Sequence, residues 1–224
     1  MNKVLNFLKN NLIIVLYSLI ELVICVLIVF DVIKDVNTFN YLMIVLNFVV
    51  SIIIFIINEN RFNIFLTIGM FFTCLADYNL VVLGKNYELG VVFFTFAQLS
   101  YMLMLKTNYK ELLIRLIVIV FLEVLSLIIV KDLYSFLVFI TMFYLSIFIS
   151  NIIFGFIKKL HLLFLIGMIL YLLCDICVGV SSFELFQDTS IAEILGRLIF
   201  YFYIPGLYLM ILASYIKNKK EKYE

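Results

Sequence analysis

Long apolar runs, separated by short polar segments, follow one another along the whole chain. Each run is roughly 17 to 23 residues long, which is the length that a helix needs to cross about 30 Å of hydrocarbon. The pattern predicts an all-α bundle of eight transmembrane helices, near residues 11 to 30, 41 to 57, 64 to 83, 89 to 105, 112 to 130, 134 to 156, 161 to 180 and 194 to 215.

Composition supports a membrane protein and excludes an ordinary soluble domain. Hydrophobic residues make up 66% of the chain and charged residues 14%, and there is one proline. Lys3 and Lys9 lead into an apolar run that is longer than the core of a signal peptide, so we expect the first run to remain as a span. The connections are short and contain no linker, so residues 1 to 224 are expected to form one integral membrane domain.

The distribution of cations predicts the orientation of the bundle. When the connections are assigned alternately to two sides, one side holds 12 of the lysines and arginines and the other holds 4. By the positive-inside rule, both termini are expected in the cytoplasm, and we expect a multi-pass protein of a bacterial cell membrane. The acidic connection at residues 181 to 193 then lies outside. The four external cations are Lys34, Lys85, Lys131 and Arg197.

Cysteine and histidine give no sign of a metal site. Cys174 and Cys177 form a C-x-x-C pattern, but no second pair and no histidine occur within the spans. We expect the cysteines to be small buried residues and His161 to lie at the membrane interface. No metal and no cofactor are expected.

Four acids lie well inside the spans, one in each odd-numbered helix: Glu21, Asp77, Glu123 and Asp175. A charged carboxylate near the bilayer centre costs about 2.5 kcal/mol or more, so such residues normally face the bundle interior or water. For each acid, the alternative is a protonated carboxyl that is hydrogen-bonded to a neighbouring helix. We expect function at Asp77 and Asp175, and packing at Glu21 and Glu123.

The stretches GMFFTCLAD and GMILYLLCD, which begin at Gly69 and Gly167, resemble each other and end in the two aspartates. The spacing from Gly69 to Gly167 equals that from Asp77 to Asp175, at 98 residues. This regularity suggests a four-helix unit used twice, as a parallel repeat whose third and seventh helices are equivalent.

Polar residues within the spans are candidates to line a site with the two aspartates. Thr73 lies four residues before Asp77 and Tyr171 four before Asp175, so each hydroxyl shares a helix face with an acid. Pro205 is expected to bend or break the eighth helix. The other candidates are Asn47, Ser51, Tyr78, Asn79, Gln98, Tyr101, Tyr144, Ser150, Asn151, Tyr201, Tyr203 and Tyr208.

The segment TIGMFFTCLADYNLVVLGKNYELGVVFFTFAQLSYMLML resembles the third and fourth helices of the YhhN-type lysoplasmalogenase family. The pattern is a glycine-led apolar run to an aspartate, a short loop, Gly-x-x-x-Phe, and a polar residue three before a tyrosine. GMILYLLCDICVGVSSF is similar to the second aspartate motif of that family. The resemblance implies an eight-helix hydrolase that cleaves the vinyl ether bond of lysoplasmalogens, with catalytic Asp77 and Asp175 and with Tyr101 as the fourth-helix tyrosine.

Two residues depart from the family pattern. Gln98 stands where the family often has histidine, and Pro205 lies where it tends to have a glutamine. These departures favour the alternative of a non-catalytic member of the fold. A third alternative, a proton- or cation-coupled transporter, is favoured by acids on every odd helix and by the parallel repeat. We expect a lysophospholipid and the bilayer as partners, and no nucleic acid. The sequence leaves the oligomeric state open.

Overall fold

A computed structural model describes residues 2–30, 36–129, 135–181 and 190–221. Lys34, Lys131, Lys222 and the acidic stretch 182–189, on which part of the orientation argument depends, lie outside the described residues. Within the described ranges, the chain forms α1 (Asn2–Val29), α2 (Val36–Ile57), α3 (Arg61–Asp77), α4 (Tyr87–Met104), α5 (Tyr109–Ile129), α6 (Phe136–Ile157), α7 (Leu162–Ser181) and α8 (Ser190–Glu221).

Each of these helices is long and apolar enough to cross a membrane. The prediction of an eight-helix membrane bundle is therefore confirmed, with helix ends that differ from the predicted spans by up to nine residues, the largest difference being at the start of α1. Because consecutive spans are joined by short segments, they cross the bilayer in opposite directions. We call the end of the bundle where α1 begins and α8 ends the terminal end.

Short polar residues fix the start of several helices. Asn60 precedes α3 and accepts a hydrogen bond from the Asn63 backbone N–H at 2.9 Å. Before α5, Asn108 accepts from the Glu111 backbone N–H at 2.9 Å, while Glu111 accepts from the Asn108 backbone N–H at 3.1 Å. This reciprocal pair is a capping box, which fixes the first turn of α5. That turn lies at the terminal end of the bundle.

The interior of the bundle is formed mainly by α3, α4, α6, α7 and α8. The most extensive packing joins α3 to α4 and α7 to α8, and α4 also packs against α6. By contrast, α5 packs substantially against α6 alone, and α1 makes modest contacts with α2 and α8. The aspartate-bearing helices α3 and α7 are therefore central, whereas α1 and α5 lie at the periphery.

The two glycines that open the repeated motifs each allow a close approach. A Cβ atom on Gly69 would stand 2.2 Å from Cε1 of Tyr101, so the absence of a side chain leaves room for this ring on α3. A Cβ atom on Gly167 would stand 2.6 Å from the Gly206 carbonyl oxygen, so the backbones of α7 and α8 nearly touch. The two motifs thus use glycine for different contacts.

Pro205 does not break α8, which continues as a helix from Ser190 to Glu221. Of the two predicted effects of Pro205, the break is absent, and a bend in α8 stays a prediction. Proline removes one N–H donor, and neighbouring helices in a bundle stabilise such a position. Gly206, directly after it, is the residue that packs against Gly167.

A π-helical turn, Tyr78–Val82, follows α3 directly after Asp77. Its hydrogen bond from the Leu83 N–H to the Tyr78 carbonyl spans five residues, at 3.0 Å. The Asn79 side chain donates to the Leu75 carbonyl at 2.8 Å. It supplies a donor at the point where the backbone hydrogen bonds change from the α-helical to the π-helical pattern. Such turns are rare and occur often at functional sites.

The parallel repeat stays a prediction. The close pairing of α3 with α4 and of α7 with α8 follows the order that two four-helix units would have, but the hydrogen bonds of the two aspartates are not equivalent, as described below.

Candidate functional site

Asp77 is the last residue of α3 and lies in the bundle interior. Its side chain is buried, and Oδ2 accepts a hydrogen bond from the Tyr203 hydroxyl of α8. Because Asp77 lies five residues before Val82, where the π-helical turn ends, the carboxyl is near the end of the bundle opposite the terminal end. The contact ties the end of α3 to the middle of α8.

Asp175 lies on α7 at a similar distance from the same end, six residues before Ser181. Its side chain is partly buried, and Oδ2 accepts a hydrogen bond from the Tyr144 hydroxyl of α6. Tyr144 itself is buried. Each aspartate is therefore held by a tyrosine from another helix.

The two carboxyl groups are close enough to interact electrostatically. Between their tyrosine partners lies Tyr171, whose ring centroid is 5.3 Å from that of Tyr203. Tyr171 is also 5.2 Å from Phe148, which in turn is 5.8 Å from Tyr144. A continuous aromatic layer thus joins the Asp77 side of the site to the Asp175 side.

Three buried hydroxyl groups beside the aspartates have no hydrogen-bond partner among the described residues: those of Thr73, Tyr101 and Tyr171. Thr73 lies close to the hydroxyls of Tyr101 and Tyr171 and interacts with each, although neither pair has the geometry of a good hydrogen bond. A buried polar group without a partner costs about 1 to 3 kcal/mol. The three hydroxyls form a buried polar patch, and Thr73 and Tyr171 lie one helical turn before the two aspartates.

Three other predicted site residues make contacts that do not involve the aspartates. Gln98 is buried but contacts Asn151, which donates to its side-chain oxygen at 3.1 Å. Asn79 bonds to its own helix, as described above. Tyr201 is 42% exposed and its ring contacts Phe200, so the structure does not bring it together with the aspartates. Position 201 is two residues from position 203, about 200° around a helix, and faces away from Asp77.

Glu21 belongs to a separate buried cluster between α1, α2 and α8. Its Oε1 accepts from the Asn47 amide at 3.2 Å, and the Tyr17 hydroxyl donates to the Asn47 oxygen at 2.5 Å. The second carboxyl oxygen of Glu21 has no partner among the described residues. The predicted hydrogen bond to a neighbouring helix is present, and it comes from Asn47.

Among the residues that the structure describes, Glu123 forms no hydrogen bond to a neighbouring helix, contrary to the prediction. It is partly buried on the peripheral helix α5, and its Oε2 lies 3.5 Å from the hydroxyl of Ser126 on the same helix. The prediction treated every span as if it were surrounded by others, whereas α5 is packed along one face only. Glu123 therefore lies on a helix that has no substantial packing against α3 or α7 among the described residues.

Tyr144 and Phe148 shape the Asp175 side, and the sequence did not identify them as such. Tyr144 was one of several polar residues inside spans, and no signal distinguished it from Tyr208, which bonds to Ser18 at 2.9 Å. Pairing between helices depends on their rotation in the bundle, which the apolar pattern leaves undefined.

Among the residues that the structure describes, no group of three histidine, cysteine, aspartate or glutamate side chains converges to hold a metal ion. Comparison of the chain with models of protein families, with curated proteins and with solved structures finds no match. The resemblance to the YhhN-type family thus rests on the quoted motifs.

Proposed function

We propose that the protein is a lysoplasmalogenase-like membrane hydrolase that cleaves the vinyl ether bond of a lysophospholipid. The observation that supports this most is the pairing of Asp77 and Asp175. The two carboxyls come from different helices, lie near the same end of the bundle and are close enough to interact. The site lies near one membrane surface, where a single-chain lipid is accessible with its tail among the helices.

The reaction requires a proton donor and a group that stabilises a cation. Protonation of the vinyl ether carbon produces an oxocarbenium ion, water adds to it, and the resulting hemiacetal separates into an alcohol and an aldehyde. In this proposal one carboxyl delivers the proton, and the other, ionised, stabilises the cation and orients the water. Net consumption is one water molecule for each lipid cleaved.

The residues around the pair have supporting roles in the proposal. Tyr203 and Tyr144 hold the two carboxyls in fixed positions through their hydrogen bonds. The unpartnered hydroxyls of Thr73, Tyr101 and Tyr171 bind the glycerol oxygens of the lipid. Gln98, whose amide contacts Asn151, has no role in proton transfer, so the absence of histidine at this position is compatible with the mechanism.

The test is aldehyde release from lysoplasmenyl lipid by the purified protein in detergent. We expect Asp77→Asn and Asp175→Asn each to lower the rate by about 100-fold or more, as for loss of a general acid or base. Glu123→Gln is the matched control, because it also neutralises an acid within a span but lies outside the pair. Absence of aldehyde from the wild-type protein, or undiminished release from both aspartate variants, would refute the proposal.

A proton-coupled transporter is the second candidate, and the Glu21 cluster favours it. Glu21 is 4% exposed within a span, and buried intramembrane acids often mark proton relays in transporters. Proton uptake into proteoliposomes that depends on added substrate and is lost in Glu21→Gln would favour transport. If the protein shows neither aldehyde release nor proton uptake, the remaining alternative is a non-catalytic member of the fold.

A further inference from the structure

Arg115 is the largest of the fully buried side chains, with 0% of its surface exposed. It lies on α5, six residues after Tyr109, where that helix begins. Arginine keeps its positive charge in proteins, and a buried charge is costly unless it is paired and hydrogen-bonded. The surroundings of this guanidinium therefore indicate what compensates its charge.

The protein satisfies the guanidinium only in part. NH1 donates to the Asn151 side-chain oxygen at 3.0 Å, and Cζ lies 4.2 Å from the centroid of the Phe154 ring. Nε and NH2 have no partner among the described residues. Two of the three guanidinium nitrogens are thus left with hydrogens to donate.

The amides next to Arg115 are oriented by its inability to accept a hydrogen bond. Since the guanidinium can only donate, the oxygen of Asn151 must face it. The Asn151 nitrogen therefore donates to the Gln98 carbonyl at 2.8 Å and to its side-chain oxygen at 3.1 Å. The Gln98 Nε2 group is then left without a partner, although the residue is fully buried.

Charge in this region is unbalanced by one positive unit. Glu111, one helical turn before Arg115, interacts with it electrostatically. The Glu111 carboxylate, however, forms its ion pair with Lys158 at 2.7 Å. Lys158 balances Glu111, and no acid in the described ranges forms an ion pair with Arg115.

Position in the bundle separates this cluster from the aspartates. Arg115, Asn151 and Gln98 each lie six residues from the end of their helix that is nearer the terminal end of the bundle, a depth of about 9 Å. Asp77 and Asp175 lie near the opposite end. Arg115, Asn151 and Gln98 are each at most 1% exposed, so a ligand reaches them only when α5, which packs substantially against α6 alone among the described helices, moves aside.

We propose that Arg115, Asn151 and Gln98 form a binding site for a phosphate group, distinct from the aspartate pair. The unpartnered Nε and NH2 belong to one planar fork, which matches two oxygens of a phosphate, and the Gln98 amide adds a neutral donor. A phosphate supplies the negative charge that the cluster lacks. Its source is either a lipid headgroup or a soluble phosphate ester, and both present the same oxygens.

The experiment measures thermal unfolding of the detergent-purified protein with increasing inorganic phosphate, glycerol 3-phosphate or lysophosphatidic acid. We expect saturable stabilisation, as for any ligand that binds the folded state. Stabilisation by the soluble compounds indicates a soluble ligand, whereas stabilisation by the lipid alone indicates a headgroup. Absence of saturable stabilisation by all three probes would overturn the proposal.

Two variants locate the effect. Arg115→Gln is expected to abolish the stabilisation, and Arg61→Gln to retain it, because the exposed Arg61 donates both Nε and NH2 to the Leu103 carbonyl. If Arg115→Gln does not fold, Asn151→Asp decides the question. It places a carboxylate oxygen at the position of the amide oxygen, neutralises Arg115 and is expected to weaken phosphate binding at least tenfold. Wild-type binding in Asn151→Asp, or equal binding in Arg115→Gln, would contradict the site.

Discussion

Both intramembrane aspartates accept a hydrogen bond from a buried tyrosine of another helix. Interhelical hydrogen bonds in membrane proteins contribute about 0.6 kcal/mol on average, because the separated helices also find partners. Loss of a donor to a carboxyl that remains buried is more costly, at about 1 to 3 kcal/mol. The tyrosine hydroxyls are thus small but directional contributions that hold each carboxyl in one orientation.

Tyr203→Phe removes the donor to Asp77 without changing the packing of the ring. We expect it to lower the free energy of unfolding by about 1 to 3 kcal/mol, because the carboxyl stays buried and loses a partner. Tyr201→Phe is the control, since Tyr201 is lipid-facing on the same helix. Thermal unfolding in one detergent compares the two variants. Equal melting temperatures would contradict the importance of the Asp77 bond.

Sequence spacing predicted the residues that share a helix with an aspartate better than those on other helices. Thr73 and Tyr171 were identified because they lie four residues before Asp77 and Asp175, and both are buried close to the site. Arg115 was one of the 12 cations assigned to the cytoplasmic side, although its place inside the predicted span 112 to 130 was a signal of burial. Contacts between helices depend on how each helix is rotated about its own axis. Both the lipid-facing side and the buried side of a span are apolar, so the apolar pattern does not define this rotation.

At the scale of helices, α7 and α8 are brought together by their glycines. A Cβ atom on Gly206 would stand 3.0 Å from the Gly167 carbonyl oxygen and 3.1 Å from the Tyr171 backbone nitrogen. Backbone atoms cannot rotate away as side chains do, so this crossing sets the distance between the two helices. Tyr171 and Tyr203, one on each helix, depend on that distance for their ring contact.

Gly167→Ala is expected to separate α7 from α8 and to destabilise the protein by about 1 to 3 kcal/mol, a typical cost of overpacking. Gly179→Ala on the same helix is the matched control, because an added Cβ atom there meets nothing within 4 Å. Thermal unfolding of both variants measures the difference. A Gly167→Ala protein as stable as Gly179→Ala would show that the crossing relaxes freely.

At the scale of the whole molecule, the interior combines an apolar core with buried polar side chains, whereas the outer surface of the helices is largely apolar. The buried set includes Asn47, Thr73, Gln98 and Arg115, whereas α5 exposes leucine, isoleucine and phenylalanine along most of its length. Hydropathy therefore predicted the number and approximate ends of the spans, because the bilayer imposes both. It did not predict that α1 and α5 are peripheral, since the apolar character of a span is similar whether it faces lipid or protein.

The orientation of this bundle in the membrane is testable with introduced cysteines. In a background with serine at all native cysteine positions, we expect an impermeant thiol reagent to label Lys85→Cys in intact cells. Lys106→Cys is expected to react only after permeabilisation, because both residues are exposed and lie at opposite ends of the bundle. The reverse pattern would place the termini outside. The serine substitutions are Cys25→Ser, Cys74→Ser, Cys174→Ser and Cys177→Ser.

The π-helical turn after Asp77 has a consequence for how relatives of this chain are aligned. A π-helical turn is equivalent to one residue inserted into an α-helix, and each residue of an α-helix adds about 100° of rotation. A relative with a regular third helix would match residues up to Asp77 and would then need a gap of one position before the Gly-x-x-x-Phe motif that begins at Gly90. An ungapped alignment across this point would compare positions that differ by about 100° around the helix, so the two halves of the motif should be compared separately.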